Sequence, residues 1–125
     1  MKKLLSISLT LLCAVVLFSF SASAAEKVIA SGNCGDNGSN VTWKLYDTDS
    51  NGTADKLVIS GSGNMKDSNH EESPWHDYCE EIEKIVINKG VTRIGDYSFM
   101  DCTFLESASI PSGITSIGNG AFFVL

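Results

Sequence analysis

The sequence predicts a mainly β fold in which an N-terminal β-hairpin region is joined to a short solenoid of stacked repeats. Two observations carry this prediction. A stretch near the C-terminus is written twice at a spacing of 23 residues, and two upstream runs alternate apolar and polar side chains as a strand with one buried face does. Each unit of a solenoid can bury its apolar face only against a neighbouring unit. The stacked units together present an extended surface on which other molecules can bind.

The doubled stretch consists of residues 82–104 and 105–125. Its matching pairs are Glu83 with Glu106, Ile87 with Ile110, Gly90 with Gly113, Thr92 with Thr115, Ile94 with Ile117, and Phe99 with Phe122. A period between about 20 and 29 residues with apolar positions in a fixed frame is typical of a leucine-rich-repeat solenoid. The alignment predicts small parallel β ladders, brief helical turns between them, and inward-pointing rings at Phe99 and Phe122.

The upstream runs predict a hairpin over part of residues 25–81. Val41, Trp43 and Leu45 alternate with polar residues, and the apolar run 57–59 forms the second strand. The polar segment 47–55 between them contains an Asn-Gly pair, which favours a tight turn. Further along, a Ser-Pro pair at 73–74 predicts a short helix near 74–80, and the repeats then occupy 82–125.

Residues 1–24 have the pattern of a secretory signal peptide. Two lysines precede an apolar run, and an Ala-x-Ala site ends at Ala24. Without these lysines, seven basic residues face fifteen acidic ones, so the formal charge of the mature chain is −8 instead of −6. We therefore expect a secreted or cell-surface protein that binds no nucleic acid and does not insert into the membrane after signal removal.

The mature chain retains three cysteines, Cys34, Cys79 and Cys102, so at least one of them stays free or pairs with another chain. His76 and Cys79 share a spacing that suits a zinc ligand pair or a Cys/His nucleophile, and His70 lies nearby. No second ligand pair and no oxyanion-hole motif accompanies them. The sequence therefore favours a surface loop with incidental histidines over an enzyme.

The repeat residues resemble a known family. They are Val91, Thr92, Ile94, Gly95, Ser98, Phe99, Cys102 and Leu105, followed by Ile110, Pro111, Gly113, Ile114, Thr115, Ile117, Gly118, Ala121 and Phe122. This pattern resembles the BspA-like leucine-rich repeats of bacterial surface proteins. The upstream residues that are similar to the N-terminal region of that family are Ser31, Gly32, Cys34, Gly35, Trp43, Leu45, Leu57, Ile59, Gly61, Gly63, Met65, Ser73, Pro74 and Trp75.

The resemblance implies an exported, non-enzymatic adhesion-type module that binds host proteins, matrix proteins or other cells. It transfers no catalytic residue. We expect the exposed strand faces of the repeats, for example Lys84, Ser107 and Ser109, to contact a protein partner. The second unit stops at Leu125, two positions before completion, which predicts a truncated or minimal member that self-associates through its uncapped last repeat.

The hairpin loop offers an alternative function. Asp47, Asp49, Asn51 and Asp55 occupy positions 1, 3, 5 and 9 of a calcium-binding loop, with a glycine at position 6. Position 12, where a bidentate carboxylate completes the calcium shell, is Val58. We therefore expect either weak calcium binding without any other cofactor, or a solvated hairpin tip.

Overall fold

The computed structural model describes residues 26–69 and 71–125, so the signal peptide predicted at 1–24 and the side chain of His70 lie outside the described residues. Within those ranges the chain forms two sheets and one short 3-10 turn. The elements are β1 (Lys27–Gly35), β2 (Gly38–Asp47), β3 (Lys56–Gly61), β4 (Gly63–Asn64), the turn (His76–Tyr78), β5 (Lys84–Ile87), β6 (Val91–Ile94), β7 (Ser107–Ser109) and β8 (Ser116–Ile117). No helix in this part of the chain has the length and hydropathy to cross a membrane.

The predicted hairpin is confirmed. β2 and β3 pair antiparallel, with Trp43 opposite Ile59 and Leu45 opposite Leu57, so the apolar side chains of both strands share one buried face. Sequence reasoning missed β1, which pairs antiparallel with β2. Register shifts interrupt β1 near Ala30 and again before Gly35, and they break the period-two alternation that a sequence scan detects.

The repeats continue the sheet of the hairpin. β3 pairs in parallel with β5, and β5 with β7, which gives a five-stranded sheet in the order β1-β2-β3-β5-β7. A smaller parallel sheet has the order β4-β6-β8. Strands from both sides of residue 81 therefore belong to the same two sheets, and the solenoid begins at β3, before the doubled stretch.

The register divides the solenoid into three coils. Lys56 pairs with Lys84, which lies 28 positions later, and Lys84 pairs with Ser107, which lies 23 positions later. We call residues 56–83 the first coil, 84–106 the second and 107–125 the third. The first coil is longer than the others, so it does not stand out when the sequence is searched at the 23-residue spacing.

Contacts between the first and second coils locate the extra residues. The Asp67 carboxylate accepts the backbone N–H of Asp96, 29 positions later, at 2.8 Å. The Trp75 ring stacks on Phe99, which is only 24 positions later. Further along, Cys79 contacts Cys102 at the 23-residue spacing of the repeat. Most of the additional residues therefore lie in the segment 68–74, and the register of the repeat is restored by Cys79.

The helix predicted near 74–80 is a single 3-10 turn, His76–Tyr78. The N–H groups of His76 and Tyr78 donate to carbonyls three residues earlier, those of Ser73 and Trp75. Ser73 does not cap this turn, because the residue at its N-terminus is Trp75 and no side chain caps it. Trp75, which immediately precedes the turn, stacks on Phe99 of the next coil.

A column of aromatic rings runs through the stacked coils. Trp75 stacks on Phe99 with ring centroids 5.5 Å apart, and Phe99 contacts Phe122 at 5.2 Å, as the repeat predicted. At the other end the Trp43 ring meets Trp75 edge-on at 5.8 Å. Both tryptophans are buried core residues. Each such ring pair contributes about 0.5–1.5 kcal/mol beyond the area it buries, so this column links all three coils to the hairpin.

We predict that Phe99→Ala lowers the free energy of unfolding by about 3–5 kcal/mol, because it opens a cavity in the middle of the ring column. Phe104→Ala is the matched control: the Phe104 side chain is 60% exposed whereas Phe99 is 1% exposed. The control should change stability by no more than about 0.5 kcal/mol. Urea unfolding measures both variants, and equal losses would contradict the proposed role of the column.

Candidate interaction surface and polar loop

The outer face of the five-stranded sheet brings together the three residues that the sequence suggested for partner binding. Lys84 pairs with Ser107, and Val86 pairs with Ser109 one row further along the parallel strands. Lys84, Ser107 and Ser109 are exposed, and Val86 is half-buried. Paired residues point to the same side of a sheet, so Lys84, Ser107 and Ser109 lie on one surface.

Strands β2 and β3 widen this surface. Their residues lie before the doubled stretch, so the repeat alignment did not point to them. Tyr46, Lys56 and Lys84 form one row across three strands, and Lys44, Val58 and Val86 form the next. We call the outer face the set Lys44, Tyr46, Lys56, Val58, Lys84, Val86, Ser107 and Ser109. The period-two alternation of β3 could have revealed Lys56 and Val58, because Leu57 and Ile59 are buried.

The lysines of the outer face differ in how far their charge is compensated. Lys56 forms an ion pair with Glu26 at 2.9 Å, and its ammonium group lies 5.4 Å from the centre of the Tyr46 ring. Lys44 and Lys84 form no ion pair within residues 26–69 and 71–125. Half-buried Val58 and Val86 lie in the same row as Lys44, and Lys84 precedes Val86 by two positions on β5, so two lysines border an apolar strip. The side chains of Glu83 and Glu106 line a groove together with Lys84.

A shallow groove of about 220 Å³ follows this strip on the side of β2. Its lining includes Lys44, Tyr46, Val58, Ser60 and Asn88. The amide of Asn88 donates to the hydroxyl of Ser60 at 2.8 Å and fixes one end of the groove. The groove is mixed in character, because Tyr46 and Val58 offer apolar contact beside the hydrogen-bonding groups of Lys44, Ser60 and Asn88, a combination that is common in protein-binding surfaces.

The polar loop after β2 places three of the four predicted calcium ligands together. One carboxylate oxygen each from Asp47, Asp49 and Asp55 lies within 4.8 Å of the others. The side-chain oxygen of Asn51 instead accepts hydrogen bonds from the N–H and the hydroxyl of Thr53, at 2.9 and 2.7 Å. Position 12 of the calcium-loop pattern is Val58, whose side chain belongs to the outer face and offers no carboxylate.

Hydrogen bonds within the loop already use the carboxylate of Asp47. Burial raises its pKa, but N–H groups of Gly52, Asp49 and Asn51 donate to it and outweigh burial, so the pKa lies below its usual value. The shortest of these bonds joins the Gly52 nitrogen to Asp47 Oδ2 at 2.8 Å. Asp55 likewise accepts the Thr48 hydroxyl at 2.7 Å. The carboxylates of Asp47 and Asp55 therefore organise the loop through these hydrogen bonds.

Cys79, which we considered with His76 as a zinc or nucleophile pair, has its closest recorded side-chain contact with a second cysteine. Cys79 Sγ lies 2.7 Å from Cys102 Sγ and 3.8 Å from the carbonyl oxygen of Met100. His76 is half-buried in the 3-10 turn, and it belongs to no metal-ligand cluster among the described residues. Sequence reasoning did not pair the two cysteines, although they are 23 positions apart, the period of the repeat.

A polar ladder on the β4-β6-β8 side also escaped sequence reasoning. Asp67 Oδ1 accepts the N–H of Asp96, and Asp96 Oδ1 in turn accepts the N–H of Asn119, each at 2.8 Å. Arg93 bridges the two carboxylates at 3.3 and 3.0 Å. The Asp96 N–H, with a smaller contribution from Arg93, holds the pKa of Asp67 below its usual value against the effect of burial. The signal in the sequence that could have revealed this ladder is the spacing of 23 positions between Asp96 and Asn119.

Comparisons with known proteins agree with this geometry. Residues 72–124 match the family model described as "BspA type Leucine rich repeat region (6 copies)". A leucine-rich repeat protein from Eubacterium ventriosum ATCC 27560, solved as a crystal structure, superposes with a TM-score of 0.62 at 32% sequence identity. The match covers 74% of this chain and 23% of that one, so this chain spans less than a quarter of the solved protein. No curated protein matches the chain.

Proposed function

The chain is a BspA-like leucine-rich repeat protein, and on that basis we propose that it is an exported adhesion-type module whose outer face binds another protein. Proteins built from such repeats generally mediate protein contacts and are generally non-enzymatic. The observation that carries the proposal is the continuous outer face, where residues from four successive strands of one sheet form a single exposed surface.

The charge on this face suggests the chemistry of the partner. The chain as a whole is acidic, with a formal charge of −6, yet two lysines, Lys44 and Lys84, border the apolar strip of Val58 and Val86, and neither forms an ion pair among the described residues. A partner that offers an apolar contact flanked by acidic groups would complement this arrangement. Complementary charge speeds encounter and selects partners, while the apolar strip contributes the burial that stabilises the complex. We propose host, matrix or other cell-surface proteins as the class of partner.

Export is the second part of the proposal. It is supported by the signal-peptide pattern of residues 1–24 and by the family, whose members are typically secreted or surface proteins of bacteria. We propose cleavage after Ala24. N-terminal sequencing of the exported chain tests this, since a product that still begins at Met1 would contradict it.

We further propose that copies of the chain associate through the third coil. It has several exposed large apolar side chains close together in the sequence, with Ile117, Phe123 and Leu125 at 53%, 50% and 80% exposure. Strands β7 and β8 also lie at the edges of their sheets and have unpaired backbone groups on one side. Sedimentation velocity at rising concentration tests the proposal, and a monomer at every concentration would contradict it.

Weak calcium binding by the loop is a second candidate function, and the convergence of Asp47, Asp49 and Asp55 within 4.8 Å favours it. Three carboxylates in one small space repel one another, and a divalent cation would relieve that repulsion. The missing carboxylate at position 12 and the internal hydrogen bonds of Asp47 both limit the affinity. The loop would therefore behave as a low-affinity extracellular site.

Reversing the charge of one residue tests the outer face. We predict that Lys84→Glu weakens binding of the mature chain to its partner by about tenfold or more, because the new carboxylate faces the acidic groups that Lys84 attracted. Lys66→Glu is the matched control. The Lys66 side chain is also exposed and lies outside the outer face, and the substitution changes the net charge by the same amount. Surface plasmon resonance against a panel of matrix and host-cell proteins measures both.

Two results of that experiment would contradict the proposed face. One is the absence of any saturable partner in the panel for the unmodified chain. The other is an equal loss of affinity in both variants, which would indicate a response to net charge alone. Circular dichroism of each variant checks that the fold is unchanged.

For the calcium loop, we predict a dissociation constant of about 10⁻⁴–10⁻³ M by isothermal titration calorimetry. Asp49→Asn should abolish the binding heat, because the exposed Asp49 carboxylate is the ligand least committed to loop hydrogen bonds. Asp77→Asn makes the same charge change on the 3-10 turn and should leave the heat intact. No heat and no shift in melting temperature on adding calcium to the unmodified chain would dismiss this candidate.

A further inference from the structure

Cys79 and Cys102 occupy equivalent positions of the first and second coils. They are 23 residues apart, their Sγ atoms lie 2.7 Å apart, and their exposed fractions are 3% and 5%. A disulfide has an S–S bond of about 2.0 Å, so the two sulfur atoms need to approach by less than about 1 Å to form one. The corresponding position of the third coil is Leu125, so the column contains two sulfur atoms and then ends.

We propose that Cys79 and Cys102 form a redox pair that closes into a disulfide between successive coils by exchange with a small neutral or cationic disulfide. The thiolate of Cys79 attacks one sulfur of the reagent and releases one thiolate. Cys102 passes its proton to that thiolate and, now itself a thiolate, attacks Cys79 Sγ. The second reagent thiolate leaves and takes from water the proton that Cys79 gave up when it ionised. The protein dithiol loses two electrons and two protons, and the reagent disulfide gains them as two thiols.

The hydrogen bond between the two groups assigns the attacking sulfur. The S–H of Cys102 donates to Cys79 Sγ, which lowers the pKa of the Cys79 thiol even though burial and nearby carboxylates act to raise it. The same bond raises the pKa of Cys102, and burial raises it further. Cys79 also lines an open groove of about 690 Å³, through which a small reagent can approach. Thiolate character and access therefore coincide at Cys79.

Charge in this groove limits which reagent can react. Its lining includes four carboxylates besides Cys79, those of Asp77, Glu80, Glu81 and Asp101. These groups repel an anionic disulfide and attract a cationic one. Access to Cys79 should thus depend on the sign of the reagent's charge.

Cys34 is a third thiol in the same chain, and its reactivity can be compared with that of Cys79 and Cys102. It lies buried near the end of β1, and burial raises its pKa to about 12. The cysteine contacts recorded for the described residues join Cys79 to Cys102 and leave Cys34 without a thiol neighbour. Closing the proposed bond therefore leaves one thiol in the mature chain, which is consistent with its odd number of cysteines.

The experiment oxidises the folded, reduced mature chain with cystamine, which is cationic, and in parallel with oxidised glutathione, which is anionic. We expect cystamine to react roughly tenfold faster. Intact mass should fall by two hydrogens, the thiol count should drop from three to one, and peptide mapping should find the link between Cys79 and Cys102. The melting temperature should rise by roughly 10 °C, since the bond closes a loop across one full coil.

Variants separate the proposed pair from general thiol oxidation. Cys34→Ala should form the same link, whereas Cys102→Ala should stop at a mixed disulfide of Cys79 with cysteamine. The unmodified chain decides the question even if a variant fails to fold. A stable mixed disulfide without the internal link, a link that contains Cys34, or a link that forms only in urea would each overturn the proposal.

Discussion

The parallel pairing of β3 with β5 is the contact on which the other features of this molecule depend. It sets Leu57 beside Ile85 and Ile59 beside Ile87 on the buried side of the sheet, which removes four branched side chains from water. On the exposed side the same register sets Val58 beside Val86. Because side chains alternate along a strand, a shift of one residue would exchange these two sets and expose the core.

That register also determines what meets further along the coil. Once β3 and β5 are aligned, the return segment of the first coil lies against that of the second, with Trp75 on Phe99 and Cys79 against Cys102. The outer face, the ring column and the proposed redox pair are thus three consequences of one stacking arrangement. A change that shifts the first coil against the second should affect all three together.

The two ends of the stack differ in how they are closed. β2 pairs antiparallel with β3, so the parallel series stops there, and Trp43 covers the end of the ring column. The hairpin therefore acts as the N-terminal cap that a solenoid needs for solubility. At the other end Ile117 and Leu125 are largely exposed. This asymmetry explains why the outer face and the third coil are proposed to have different partners.

The sequence predicted several of the features that repeat at constant spacing, although it missed the contact of Cys79 with Cys102 and that of Asp96 with Asn119. The contact between Phe99 and Phe122 and the common face of Lys84 and Ser107 followed from the 23-residue period and strand alternation. The first coil was missed because its 28-residue length, and a tryptophan in place of phenylalanine, hid it from that period.

Features that depend on backbone geometry were harder to predict from the sequence. The bulges of β1 and the 3-10 turn after Trp75 are set by how the chain must fit its neighbours. In the polar loop the spacing of acidic residues predicted a cluster, which the structure contains. It did not predict that backbone N–H groups of the loop would occupy the Asp47 carboxylate, because that depends on the turn conformation.

Native-state hydrogen exchange, resolved by residue, tests most directly whether the hairpin and the repeats are one stacked unit. The pairing of β3 with β5 predicts that the slowest backbone N–H groups of β2, β3 and β5 open with the same free energy and respond equally to denaturant, since none can open without disrupting that pairing. Opening of β5 at a distinctly lower free energy, while β2 and β3 stay protected, would show that the hairpin folds independently and would contradict the account.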